Sequence, residues 1–382
     1  MQNIAFVLYY YYPYVSGLSF YAKTIAEELA ASGKYNVTII TSRYDSGLAS
    51  AETINSVKVM RKKVLFSFGK GVVAPGVVSE LIAGRKNYDK VFIFLPFAEC
   101  LFIPFIFKKE QIFSFYVCDL NLGSGIIMKL IEKFYYFSAA KLLNKSSTII
   151  PLSDDFMFHS KAFREELRHK VKVLFPRIIP PDISATASEI SAYHRRFGIK
   201  DTDFVIGFLG RIVYEKGIEY LLDAIPYLDK SLPDFKILIG GDYQNVRGGS
   251  TYDQLRQKIA KYADKVAVTG FVPEAEKGLF FKSIDILVLP SIDPLEAFGI
   301  VQVEAMIAGK PVVASSLYGV REVIKNTKFG YTAEKKSAED LAAKILLLHG
   351  NLQKLQVHKD SYKKYYSDAV WKQQLEKIID VS

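Results

Sequence analysis

The chain has 382 residues, half of them hydrophobic, enough for two sizeable cores and suited to two domains. Its two cysteines have no metal-ligand spacing and indicate a reducing compartment, and its five scattered histidines form no zinc motif. The net charge of +10 is lopsided: residues 1–180 hold 23 Lys and Arg against 14 Asp and Glu (+9), and residues 181–382 hold 27 against 26 (+1). A basic first half points to a polyanion, an anionic membrane or an anionic substrate, unless it is simply a solvated basic surface. No nucleic-acid-binding motif accompanies it, so nucleic acid is not an expected partner. Met1 leads at once into a strand pattern without a basic n-region or cleavage site, so no secretory signal is expected.

In chain order, residues 3–11 read as a buried strand, 13–19 as a turn, 20–31 as an amphipathic helix ending at Gly33, and 37–42 as a second strand. A strand, a glycine-bearing loop and a helix at the start of a Rossmann-like domain make a place for phosphate, with Gly17 its candidate residue; a plain βα turn is the other reading. Residues 56–64 are a strand carrying Lys58, Arg61, Lys62 and Lys63, and 72–83 a helix followed by Arg85 and Lys86. Residues 91–107, VFIFLPFAECLFIPFIF, fall short of the roughly 20 residues of a membrane span and contain Pro96, Pro104 and Glu99. They read as a core strand, 91–95, and a short apolar helix ending at Lys108-Lys109. Residues 112–117 form another buried strand, with Cys118-Asp119 at its C-terminal end, where ligand groups cluster in open α/β sheets; Asp119 is a ligand position there or a cap for the next helix. That helix, 125–144, carries FYYF at 134–137 with Lys129, Lys133 and Lys141, and Lys145 follows it. A strand at 147–151, an N-cap cluster at Ser153-Asp154-Asp155, a helix at 156–168 and residues 170–174 close the first domain. Residues 175–188, with three prolines, are the linker.

The second domain opens with residues 194–197 and a strand at 204–209. Next comes G-R-I-V-Y-E-K-G, 210–217, and a helix at 218–228. A guanidinium and an ammonium five residues apart, on a glycine-bounded loop after a parallel strand, make an anion cradle: Arg211 binds phosphate bidentately and Lys216 adds a point charge. Two exposed surface cations are the alternative. Strands at 235–241 and 266–271, the latter running into Val272, alternate with helices at 252–262 and 273–282. Residues 284–290 are a strand, 291–295 a loop, 300–307 a helix, and 311–314 the next strand. Glu296 lies at the helix mouth. Glu304 lies about two turns on, placed on the same face because eight residues at about 3.6 per turn return to within roughly 80°. Gly299 puts a residue without a side chain where the helix opens, so the backbone of Phe298, Gly299 and Ile300 can meet an anion. A phosphate at the helix end and a sugar hydroxyl at each carboxylate fit this stretch. A helix opening at 319–322, an amphipathic helix at 338–348 and a last helix at 358–379, holding the only Trp (Trp371), complete the chain.

The run E-A-F-G-I-V-Q-V-E-A-M-x-A-G-K-P-V-V-A-S resembles the donor-binding signature of the retaining glycosyltransferases of family 4, and the G-R…K-G run agrees with it in order and spacing. The resemblance is strong over 204–348, fair over 1–45 and loose between 50 and 180. It implies the α/β GT-B fold, two Rossmann-like parallel-sheet domains facing across a cleft. Their expected bounds are 1–175 for the acceptor domain and 189–356 for the nucleotide-sugar domain, with a C-terminal helix, 357–382, crossing back to the first. It further implies that Arg211 and Lys216 hold the donor pyrophosphate and Glu304 the ribose hydroxyls. Glu296 is then placed at the donor sugar or reaction centre. The backbone of Phe298, Gly299 and Ile300 meets sugar and phosphate, that of Phe271 and Val272 the nucleobase edge, and Gly17 the donor phosphate and acceptor. The chain departs from the family twice: the usual glycine pair is Ser16-Gly17, and the usual His-Asp pair is Cys118-Asp119. Asp119 would then orient the acceptor hydroxyl or act as its base.

The resemblance thus implies retaining transfer of a hexose from a UDP- or GDP-linked donor to a glycan or lipid-linked acceptor, in cell-surface glycan or glycoconjugate synthesis. The expected location is the cytoplasm, or the periphery of the cytoplasmic membrane face. No cofactor or metal is expected, because Arg211, Lys216 and the helix N-terminus at Gly299 can neutralise a departing diphosphate. The alternatives are a nucleotide-sugar 2-epimerase, a phosphorylase, and a non-catalytic partner subunit that kept the fold. Phosphorylases of the pyridoxal type are much longer, epimerases lack the E-A-F-G run in this form, and the intact Glu296, Glu304, Arg211 and Lys216 argue against a partner subunit, which only Cys118 favours. The basic, aromatic-rich first half makes an anionic membrane surface a candidate partner.

Overall fold

The structure, a computed structural model, describes residues 1–380 apart from Val15, Gly69, Lys70, Gly123, Ser124, Asn245, Arg247 and Gly248. Val15, within the expected 13–19 turn, thus lies outside the described residues. The chain divides into two units, Met1–Arg177 with Lys372–Ser382, and Ile178–Trp371.

The first unit holds β1 (Gln2–Val7), β2 (Tyr35–Arg43), β3 (Ala51–Ile54), β4 (Val57–Lys63), a small hairpin of β5 (Phe66–Phe68) and β6 (Gly71–Val73), then β7 (Lys90–Leu95), β8 (Ile112–Tyr116) and β9 (Thr148–Pro151). Seven of these form one sheet in the order β3-β4-β2-β1-β7-β8-β9, parallel except for the β3–β4 hairpin. β7 and β8 are buried along their whole length, as continuous apolar runs in a parallel sheet must be. The phenylalanines of these runs fill the core: Phe94 stacks on Phe115 with centroids 4.3 Å apart, and Phe92 and Tyr21 meet Phe115 edge-on. Phe102 and Phe105, on the short helices that follow β7, are exposed instead.

Three local readings change. The first helix is Gly17–Ala31, three residues longer than expected, because Ser16 caps it: the Ser16 Oγ accepts from the Ser19 amide at 3.1 Å, and the Ser19 Oγ accepts from the Ser16 amide at 2.9 Å. Ser16→Ala is therefore expected to lower stability by about 1 kcal/mol; an unchanged urea midpoint would show the cap to be idle. The hairpin strand β3 was not expected, since its two-residue turn is Asn55-Ser56, both left-handed, without the glycine that signals such turns. The expected helix at 156–168 is only Asp154–Phe158 followed by a 3-10 turn, Glu165–Lys170.

The second unit is a six-stranded, wholly parallel sheet of β10 (Phe204–Leu209), β11 (Phe235–Gly240), β12 (Val266–Gly270), β13 (Ile286–Leu289), β14 (Val312–Ser315) and β15 (Gly330–Ala333), in the order β12-β11-β10-β13-β14-β15. It opens with a helix, Ala187–Arg196, held by a Thr186/Glu189 capping box and starting before the expected 194. The expected last helix, 358–379, is broken. Tyr362–Tyr366 and Asp368–Ile379 are separated by Ser367, whose extended backbone (ψ 158°) stops one helix and whose carbonyl receives the Trp371 amide of the next. The chain end belongs to the first unit, where the Ile379 carbonyl accepts from the Lys90 ammonium and Lys372 lies 3.3 Å from Glu28. Among the described residues no helix is long and apolar enough to cross a membrane.

Candidate active site

In the second sheet the chain runs outward from β10 to β11 and β12, then returns to place β13 on the other side of β10. The loops after β10 and β13 therefore diverge at a topological switch point, where open α/β sheets bind ligands. The first carries Arg211 and Lys216, the second Glu296. Both loops are pinned by close backbone approach. Gly217 has φ +66°, and a Cβ there would lie 2.2 Å from the Pro290 carbonyl oxygen. The Ile292 amide also donates to the Glu215 carbonyl at 2.9 Å.

That tie brings the two motifs together. The Lys216 ammonium donates to the Glu296 carboxylate, and both side chains are about five-sixths buried, 16% and 15% exposed. Arg211 differs: its guanidinium is 53% exposed, with the Glu215 carboxylate 3.6 Å away, beyond hydrogen-bond range. One cation is thus preorganised against a carboxylate and the other faces solvent, available to an anion.

The helix Ile300–Ile307 has the bounds read from its sequence. Its N-cap, Gly299, sits at φ +77°, where a Cβ would lie 2.6 Å from Leu289, and no side chain caps the helix. Positive backbone potential is therefore left at its start. Phe298 is buried beside Tyr366, ring centroids 5.5 Å apart, so only its backbone can serve a ligand. The two glutamates do not share a helix face, contrary to the expectation from their spacing. Glu296 precedes the helix by several residues, so helical turns do not count from it, and each carboxylate has its own lysine. Lys277 holds Glu304 at 2.9 Å and pairs with Glu274 at 2.9 Å. Burial pushes the Glu304 carboxyl up, and Lys277 only partly offsets this. Lys277 was not anticipated; the acid-rich start of its own helix was the available signal. Phe271 and Val272 follow β12 on the same sheet edge, the first exposed, the second buried.

In the first unit Asp119 is buried at the C-terminal end of β8. It accepts from the Tyr116 hydroxyl at 2.6 Å and the Lys161 amide at 3.4 Å, and burial pushes its carboxyl up. It does not cap the following helix, whose N-cap is Gly125 without a side-chain bond. Gly17 is the first residue of its helix, with open space where a Cβ would point. This sheet also has a switch point, between β1 and β7, and sequence reasoning missed what stands there. Glu99 is buried and accepts from the Tyr9 hydroxyl at 2.7 Å and the Ala74 amide at 2.8 Å. A carboxylate inside a seventeen-residue apolar run was the clue, since a buried charge demands partners.

A family model described as "Glycosyl transferases group 1" matches residues 189–364. An uncharacterized glycosyltransferase of Methanocaldococcus jannaschii is 30% identical, over 97% of this chain and 96% of its own. The chain belongs to the group 1 glycosyltransferases. The resemblance of this glycosyltransferase to a phosphatidyl-myo-inositol mannosyltransferase of Mycobacterium leprae, 32% identical, covers 47% of the chain and 44% of that protein. Among solved structures, HepE of Anabaena in complex with UDP superposes with a TM-score of 0.73 at 18% identity, over the whole of both chains. The lipopolysaccharide glycosyltransferase WaaG gives 0.69 at 18%, over 99% and 100% of the two chains. The fold is GT-B, and the glycosyltransferase is an enzyme of sugar transfer.

Proposed function

We propose that this enzyme takes a hexose from a UDP- or GDP-linked donor bound on its second unit. It passes the hexose, with retained configuration and without a metal, to a glycan or lipid-linked acceptor bound on its first. The observation that carries this reading is the Lys216–Glu296 contact at the β10/β13 switch point, which joins the phosphate-type loop to the helix mouth. A donor there presents two demands. Its diphosphate accumulates negative charge as the bond to the anomeric carbon breaks, and its sugar offers hydroxyls. Arg211, Lys216 and the uncapped start of Ile300–Ile307 answer the first. Glu296 answers the second, and Glu304 takes the ribose hydroxyls. Asp119 orients the acceptor hydroxyl. The relative named for mannosyl transfer supports a hexose, and HepE in complex with UDP supports a uridine donor.

A panel of nucleotide sugars tests the reading. One UDP- or GDP-hexose is expected to raise the melting temperature and to be hydrolysed slowly without acceptor, at a rate unaltered by EDTA. No stabilisation and no hydrolysis by any member would contradict it.

A further inference from the structure

Beside Asp119, the first unit has a cavity of about 420 Å³ lined by Asn121, Lys129, Glu132, Lys133, Tyr136 and Lys161. Lys161 is paired with Glu132 and lies 5.4 Å from the Tyr136 ring. Among the described residues Lys129 and Lys133 form no ion pair, so the cavity has positive charge to offer. The wall bearing both lysines is the helix Ile126–Lys145. On its first three turns Ile126, Ile127, Leu130, Ile131, Phe134 and Phe137 are 42–80% exposed. At about 100° per residue these six occupy an arc of about 140°, and Lys129 and Lys133 stand within about 60° of one edge of it. Phe102 and Phe105, also exposed, lie on short helices that pack against the same helix. Single exposed apolar residues are ordinary, but a stripe of six on one helix face is not.

We propose that this cavity receives the phosphoryl head group of an anionic lipid, while the apolar stripe lies in the hydrocarbon boundary of a membrane, presenting a lipid-linked acceptor beside Asp119. The inference rests on the reading above that the first unit binds the acceptor. Charge decides the occupant. The stripe borders unpaired lysines in a half-chain of net charge +9 (23 Lys and Arg less 14 Asp and Glu over residues 1–180), which suits an anionic bilayer. A second copy of the chain would set lysines against lysines. A soluble phosphorylated sugar would fill the cavity but leave six large apolar side chains in water. Lysines at the rim of an apolar face match the step from head group to hydrocarbon in a lipid leaflet.

The test is co-sedimentation of the full chain with vesicles of phosphatidylglycerol or phosphatidylcholine. Binding to phosphatidylglycerol is expected to exceed binding to phosphatidylcholine and to fall as salt rises. Lys129→Gln with Lys133→Gln should weaken it about thirtyfold, the factor implied by roughly 1 kcal/mol per lysine. Leu130→Ser with Phe134→Ser should abolish whatever binding survives high salt. All four positions are exposed, so both double variants should melt like wild type and bind UDP or GDP equally well. Equal binding to the two lipids, no binding at low salt, or binding indifferent to both double variants would overturn the inference. So would a wild-type dimer that the serine variant makes monomeric without any vesicle binding. Nucleotide binding without vesicle binding would leave the transferase reading standing alone; vesicle binding without nucleotide binding would do the reverse.

Discussion

Glu296→Gln is expected to lower kcat/KM by about 10²–10³-fold, the loss that follows removal of one preorganised electrostatic contact at a reaction centre. The amide keeps the size of the carboxylate and one acceptor oxygen, so Lys216 retains a hydrogen-bond partner and the loop its shape. Only the charge is lost. The reduction should fall on kcat, with donor KM little changed, because the contact matters as the anomeric carbon becomes electron-deficient. The melting temperature should stay near that of wild type, since the pair keeps some access to water, at 16% and 15% exposure. Glu304→Gln is expected to behave differently, raising donor KM more than it lowers kcat, because Glu304 lies inside the helix, held by Lys277 away from the mouth. Full activity of Glu296→Gln on the true donor would remove Glu296 from the reaction centre.

Arg211→Ala should raise donor KM and weaken nucleoside-diphosphate inhibition by about 1.5–3 kcal/mol, roughly 10- to 150-fold, the range of charge-assisted hydrogen bonds. The side chain is half exposed and the Glu215 carboxylate stands 3.6 Å away, so little folding energy should be lost with it. Lys216→Ala is expected to do two things at once. In the proposed donor site it removes a phosphate ligand, and it also strips Glu296 of its counter-ion, leaving a mostly buried carboxylate where the donor would bring its own negative charge. Both kcat and KM should therefore suffer, and the double variant Lys216→Ala/Glu296→Gln should be less impaired than the two single losses multiplied together. Steady-state kinetics over donor concentration checks both. An Arg211→Ala enzyme with wild-type KM would show that this guanidinium is merely solvated.

Much of the second unit was legible because its strands are continuous apolar runs and its helix stops are chemical. Phe204–Leu209 and Ile300–Ile307 fall where pattern and Gly299 put them. What sequence could not supply was pairing across distance. Lys216 and Glu296 are eighty residues apart and meet only because β10 and β13 are neighbours. Lys277 and Glu304 meet for a similar tertiary reason, and the helical-wheel argument failed because Glu296 is not helical. In the first unit the misses are local. Ser16 extends a helix through a cap that periodicity does not register, and Asn55-Ser56 turns a hairpin without glycine. In the second unit, Ser367 divides the last helix at a residue that a wheel treats as one more polar position. The apolar run at 91–107 was ambiguous for a better reason: part of it is core and part of it faces out, and only the fold separates Phe92 and Phe94 from Phe102 and Phe105.

The central claim, that the β10/β13 switch point is a nucleoside-diphosphate site, is tested most directly by isothermal calorimetry of the intact protein with UDP and GDP. The same titrations should be repeated on Arg211→Ala/Lys216→Ala. One of the two nucleotides should bind wild type one-to-one, without added metal, and bind the double variant more than about 100-fold less tightly. No binding of either nucleotide to wild type, or equal binding to wild type and the double variant, would contradict the account.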